Sequence, residues 1–388
     1  MAVVTAARSR SETAQRWLTP IGAVVGIVII IVGLGFMADP HGAQNFLASI
    51  YDFLGNTVGA KALRNGQGDQ FFAKIILVGV ALIAGVGGVW MVYSGASAIV
   101  GLLKPRMQLR IIPWVFVLPA VALLGVYLVW STAVTIWTSI VADKGFGDNY
   151  GQLLTPDLIS VLKNNVIWLI VATGGSVLIG LVIAGLFDRI RREALAKTFI
   201  FLPLAISLVG ASVIWRFIYT WKAPGQPQYG LLNAVWTSLG GQPVDWIHVP
   251  TVDTFALIVI MIWLQTGFAM VVLSAAIKGV SVEVIEAARL DGAGERQIFF
   301  QVIVPIIKGS IITVATTIAI AVLKIFDIVY VMTGGRFDTD VVANRMFIEK
   351  FQFFQDGRAA ALAVVLFIGV LPVMYINLRN LRQQGVGS

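Results

Sequence analysis

The chain has 388 residues, 58% of them hydrophobic and only 12% charged, and it contains no cysteine. Soluble domains carry about a quarter charged residues, so this composition excludes an ordinary soluble globular protein. The missing thiols exclude disulfides and thiolate metal centres. A net charge of +8 would suit nucleic acid if the cations clustered, but they are dispersed between apolar blocks, and no nucleic-acid partner is expected.

Eight apolar runs are each long enough to cross a hydrocarbon core of ~30 Å as a helix: 20–37, 75–100, 113–140, 164–187, 198–218, 254–277, 310–333 and 359–378. The fold class is therefore all-α, a polytopic helical membrane protein. Arg8, Arg10 and Arg16 precede the first run, and Phe36-Met37-Ala38-Asp39-Pro40 lacks a small-x-small cleavage site, so a retained signal anchor is expected. A polar loop with His41, Asp52, Lys61, Arg64 and Asp69 separates it from the second run. Lys104-Pro105-Arg106 then reads as a hinge, because proline cannot continue a helix interior. This divides the chain into a two-helix extension, 1–105, and a six-helix portion, 106–388.

Asn164-Asn165 opens the fourth run; Pro203, Ser207 and Trp215 lie along the fifth, with Arg216 placed to snorkel outward. The sixth holds Trp263, Gln265, Thr266, Gly267 and Phe268 at bilayer depth. An unpartnered buried amide or hydroxyl costs roughly 1–3 kcal/mol, so such groups face another helix or an aqueous cavity. A sugar needs hydrogen-bond partners for its hydroxyls and flat aromatic faces for its C–H surface, which this stretch supplies. Interhelical bonding by Gln265 and Thr266 is the competing reading. In the seventh run Lys324 and Asp327 stand three residues apart, as on one face of one helix. Two readings stand: a pair at the edge of a substrate cavity, or a salt bridge that only lets the helix insert. His41 and His248 fall in predicted outside loops, and neither shares a helix face with a carboxylate or second histidine, so no metal site is expected.

With the N-terminus placed in the cytoplasm, the inside segments 1–19, 101–112, 188–197, 278–309 and 379–388 hold 16 Lys and Arg in 83 residues. The outside segments 38–74, 141–163, 219–253 and 334–358 hold 10 in 120. The inside density is more than double, as the positive-inside rule requires. Both termini and the loop 278–309 are therefore expected in the cytoplasm.

That loop carries Glu286-Ala-Ala-Arg-Leu-Asp-Gly-Ala-Gly, then Val302, Val304 and Pro305. Ser281 is expected to cap a short helix over 282–290 through its hydroxyl, with Glu283 favoured in the first turn. Gly292 and Gly294 are expected to turn the chain without Cβ strain. No Gly-x-x-x-x-Gly-Lys-Ser/Thr occurs, so the chain is not expected to bind or hydrolyse ATP.

Glu286, Ala287, Ala288, Gly292 and Pro305 resemble the cytoplasmic EAA loop of binding-protein-dependent ABC importers, and the six-helix portion resembles their permease subunits. Gly180-Leu181-x-x-Ala184, Gly230-Leu231-Leu232-Asn233 and Phe326-Asp327-x-x-Tyr330-x-x-Thr333-Gly334-Gly335 are similar to the carbohydrate branch. Ala211-Ser212-Val213-Ile214-Trp215 and Trp263-Leu264-Gln265-Thr266-Gly267-Phe268 look closest to α-glucoside and maltose permeases. The resemblance implies a non-catalytic transport subunit of a bacterial or archaeal cytoplasmic membrane. Ser281, Glu283, Glu286, Ala287, Ala288, Asp291, Gly292 and Pro305 would form an ATPase-coupling segment. Trp263, Gln265, Thr266, Gly267, Phe268, Lys324 and Asp327 would border the substrate cavity. The implied partners are a second permease, two copies of an ATPase that hold ATP and Mg, a soluble sugar-binding protein docking on loops 219–253 and 334–358, and the sugar. A permease for another polar solute, such as a glycerol-linked compound, shares the same loop. An ion-coupled transporter using Asp327 and Lys324 leaves the loop unexplained.

Overall fold

The computed structural model describes residues 104–187 and 193–385 continuously, 55–64 as a shorter stretch, and isolated residues elsewhere between 45 and 100. The expected run 20–37 lies outside the described residues. Of 75–100 only isolated residues are described, all helical. No strand occurs among the described residues. The chain divides into two compact units, Met1–Ser131 and Thr132–Ser388, whereas the expected boundary near 105 marks the start of a helix.

In the first unit, α1 (Thr57–Arg64) packs Ala60 and Leu63 on Ala48, and Arg64 pairs with Asp52 at 2.8 Å. Tyr93 donates to the Phe116 carbonyl at 2.6 Å and stacks on the Phe116 ring. Phe116 lies on α2 (Pro105–Leu124), which passes through a π-helical stretch, Gly125–Trp130, into α3 (Ser131–Val141).

In the second unit α4 (Phe146–Gly151) is pinned by Asn149, whose amide donates to the Ser139 and Ala142 carbonyls at 3.0 Å each. The helix α5 (Pro156–Phe187) has 32 residues, long enough to overshoot a bilayer core, with proline at its first position. After it come α6 (Glu193–Phe201), a 3₁₀ turn Leu202–Ala205, and α7 (Leu208–Ile218). The expected single helix over 198–218 is instead bent by 104°. Pro203 ends the first limb, and Ser207 starts the second by accepting from the Gly210 N–H at 3.0 Å.

Beyond α8 (Leu231–Ser238) runs α9 (Val252–Lys278), apolar all round and mostly buried. Leu257, Ile260, Met261, Met270 and Leu273 on it are at most 1% exposed, which makes it the core of the unit. It crosses α5 closely because Gly180 has no Cβ: one placed there would lie 2.5 Å from Ala269 Cβ.

The segment after α9 contributes α10 (Val282–Leu290) and α11 (Glu295–Ile306), the latter π-helical over Ile298–Ile303. Pro305 lacks the N–H that residue 301's carbonyl needs, which accounts for the irregular turn. A 70° bend then leads into α12 (Lys308–Leu323). The last elements are α13 (Asp327–Met332), α14 (Val342–Phe351) and α15 (Asp356–Gly385). Among the described residues, four helices are long and apolar enough to cross a membrane, or six if each bent pair is one span.

Candidate functional site: a suspended helix and a partly open helix face

The helix α10 spans the residues expected for the short loop helix, and its exit follows from one glycine. Gly292 sits at φ +82°, and its N–H donates to the Arg289 carbonyl at 3.0 Å. Ala293 N–H reaches the Ala288 carbonyl at 3.0 Å. These two bonds are the Schellman ending, in which the residue after the cap must be left-handed, so glycine is needed there. Asp291 is the cap residue. Two expectations are corrected. Ser281 is extended at the helix start, yet its hydroxyl makes no capping bond. Gly294, at φ −72°, needs no glycine freedom; its N–H donates to Gln297 Oε1 at 2.9 Å and opens α11.

No residue of α10 is buried. Ile285 and Ala288 lean on the core together with Ala293, so the helix hangs by one edge. Glu283, Glu286 and Ala287 are exposed, and Leu290 is 89% exposed. A leucine bare at the end of such a helix is an unpartnered apolar contact beside acidic side chains. Arg289 Nε meets Glu295 Oε1 at 3.2 Å across the turn, a half-exposed pair worth little on its own. Pro305 lies in the final turn of α11, before the bend.

The five α9 residues expected at the cavity fall on two faces. Trp263, Thr266 and Gly267 share one side by helical spacing. Thr266 is buried and its hydroxyl donates to the Ile262 carbonyl at 2.7 Å. At Gly267 a Cβ would lie 2.5 Å from the Ile200 carbonyl oxygen, so this is where α6 crosses. Trp263 meets Trp215 of α7 edge-on at 5.8 Å, and Trp215 meets Tyr219 at 5.1 Å. Gln265 and Phe268 lie on the opposite side, half-buried. Gln265 makes no side-chain hydrogen bond among the described residues, so its amide stays available. Phe268, like Trp263, also packs on the core.

Lys324 and Asp327 do not share a helix. The helix α12 ends at Leu323 and α13 begins at Asp327, with Phe326 at φ −136°, ψ −56° between them. The exposed Lys324 borders a cavity of about 570 Å³ with Phe326, Met346, Phe347, Leu366 and Phe367. Phe326 stacks on Tyr330 and both meet Phe347 at an angle, with ring centres 5.0–5.2 Å apart. No ion pair joins Lys324 to Asp327 among the described residues.

The asparagines opening the fourth run have a role that spacing did not reveal. Asn164 donates to the Asp338 carbonyl at 2.6 Å and the Asp340 carbonyl at 3.0 Å. Asn165 accepts from Val342 N–H at 2.7 Å and donates to the Leu323 carbonyl at 3.4 Å. The pair therefore fixes the loop after α13 and the broken end of α12. Burial pushes the Asp340 carboxyl above its ordinary range, opposed by bonds from Asn344 and the Val341 N–H. Asparagine inside an apolar run was the available signal; its partners, 158 to 177 residues away, were not.

Residues 176–382, more than half of the chain, match the family described as binding-protein-dependent transport system inner membrane component. The chain belongs to this family. It is a multi-pass permease subunit of an ABC importer. The permease is 47% identical over 274 residues to the osmoprotective compounds uptake permease protein GgtC of Synechocystis sp., covering 69% of this chain and 98% of that one. It is also 47% identical over 288 residues to the alpha-glucoside transport system permease protein AglF of Rhizobium meliloti, covering 73% and 86%. Among solved structures, a bacterial ABC transporter that imports the acidic polysaccharide alginate has the same fold. The TM-score is 0.62 at 19% identity, over 71% of this permease and 99% of that chain.

Proposed function

We propose that the permease carries an uncharged sugar or glucosylated solute inward, as half of a cavity completed by a second permease. The exposed face of α10 docks into a separate ATPase that holds ATP and Mg, and a soluble extracytoplasmic protein delivers the solute. Both termini lie in the cytoplasm, with the loops 219–253 and 334–358 on the delivery side. The observation that carries this reading is the suspension of α10: a short helix held by one edge, with Glu286 and Leu290 bare. ATP-driven closure of the ATPases moves that helix, and the cavity changes the side to which it opens. Coupling of this kind requires the ATPase to bind two states of the permease differently.

The relatives named for osmoprotective compounds and alpha-glucosides support a glucosyl solute. The apolar helices carry no arginine cluster, which an anionic solute would favour. Gln265 supplies an amide for solute hydroxyls and Phe268 a flat apolar face. The test is uptake of radiolabelled trehalose into proteoliposomes containing the permease, its partner permease and the ATPase, with the delivery protein outside. ATP-dependent uptake is expected, falling roughly fivefold in Gln265→Ala and in Phe268→Ala, since each removes about 1 kcal/mol of contact. Uptake driven by an ion gradient without any ATPase would contradict the proposal.

A further inference from the structure

The helix α6 lies antiparallel along the last turns of α9, and three contacts keep the two in register. At the far end Gly267 admits the α6 backbone at Ile200 and Phe201. In the middle Lys197 Nζ bonds the buried Ser274 hydroxyl. At the near end the Glu193 carboxylate receives Lys197 from its own helix and Lys278 from α9, with Lys278 Nζ at 2.7 and 2.8 Å from its two oxygens. Lys278 is the last residue of α9, three positions before Ser281 and the start of α10.

The position of this cluster matters more than its strength. A carboxylate between two ammonium groups, largely shielded on the Glu193 and Lys197 side, is charge-assisted and directional. It joins the stem of the coupling helix to the first limb of a broken helix. Past Phe201 that limb turns through 104° into α7. Any displacement of the Lys278 end that α6 follows must therefore be taken up at the elbow around Pro203–Ser207, and it swings α7 with its Trp215 against Trp263.

We propose that Glu193 is a positioning residue for coupling: its grip on Lys278 makes α6 and the elbow follow α10 when the ATPases close. This inference rests on the ATPase-docking reading of α10 and adds the route by which the movement reaches the membrane. Nothing in the EAA pattern includes Glu193, Lys197 or Lys278.

The cysteine-free sequence allows a direct test. Val166→Cys on α5 and Val213→Cys on α7, both exposed, receive spin labels in the full assembly with ATPase and second permease. Their distance is measured without nucleotide and with ATP and Mg. The expected result is a nucleotide-dependent change that at least halves in Glu193→Gln while the ATPase remains bound, with ATP hydrolysed per trehalose carried rising at least threefold. Lys278→Met, which spares the Glu193–Lys197 pair, should do the same. The double exchange Glu193→Lys with Lys278→Glu should restore both readouts, which a general loss of packing would not allow. An unchanged distance response and ratio in Glu193→Gln and Lys278→Met would overturn the inference and leave ATPase docking intact. Absence of any nucleotide response in the unsubstituted assembly would overturn the docking reading, and this inference with it.

Discussion

Asn165 shows how one side chain sets local architecture in this permease. Its amide oxygen holds the Val342 N–H and its nitrogen faces the Leu323 carbonyl, so one residue of α5 fixes the start of α14 and the end of α12. In Asn165→Leu both backbone groups lose their partner in a dry site, at a cost of roughly 1–3 kcal/mol. The expected outcome is a lowered melting temperature in detergent with ATPase capture unchanged; an unaltered melting curve would show that the two bonds contribute nothing. At this scale the sequence was legible where chemistry is local. Gly292 in its left-handed turn follows from the loop pattern alone, since the Schellman ending is written in adjacent residues. Ser281 and Gly294 were misread because a serine or glycine at a boundary permits a cap or a turn without requiring it. The Lys324–Asp327 pairing failed for another reason. Nothing in Leu323–Asp327 is a helix breaker, and the contact at the broken end comes from Asn165, 158 positions earlier in the chain.

Among the elements, α9 and its crossings decide the shape of the second unit. Its residues are apolar on every side, which hydropathy reports as a span and packing converts into a core helix. Two glycines set where neighbours approach: Gly180 of α5 against Ala269 and Met270, and Gly267 against the backbone of α6. Close approach through small residues is how helices associate where lipid supplies no hydrophobic drive. Gly180→Leu must push the two helices apart, and overpacking of this kind costs about 1–3 kcal/mol. The check is the fraction of the variant that elutes as a monodisperse species from mild detergent, expected to fall well below that of the unsubstituted chain; equal recovery would refute the crossing. Apolar runs found the long helices of this unit but not all their bounds, since α5 begins at Pro156 and α12 ends at Leu323, and hydropathy is blind to direction. It missed the 104° and 70° bends, although Pro203 and Pro305 marked both places. The stretch Trp263 to Phe268 was blurred likewise: it winds around the helix, and only helical spacing places Gln265 and Phe268 on the side away from Trp263, Thr266 and Gly267.

For the molecule as a whole, family membership and the hanging helix make the same claim from different directions. The match over residues 176–382 names an inner membrane transport component, and α10 lies in that range with no buried residue and with Leu290 bare beside exposed carboxylates. The proposed docking of an ATPase rests on this exposed surface of α10. The most direct measurement is capture of the ATPase and second permease by the tagged permease in mild detergent, compared with Glu286→Arg. The account predicts that the unsubstituted chain recovers both partners, and that Glu286→Arg retains the second permease while losing the ATPase. Recovery of the ATPase in equal amount by Glu286→Arg, or transport by a chain that purifies alone, would contradict it.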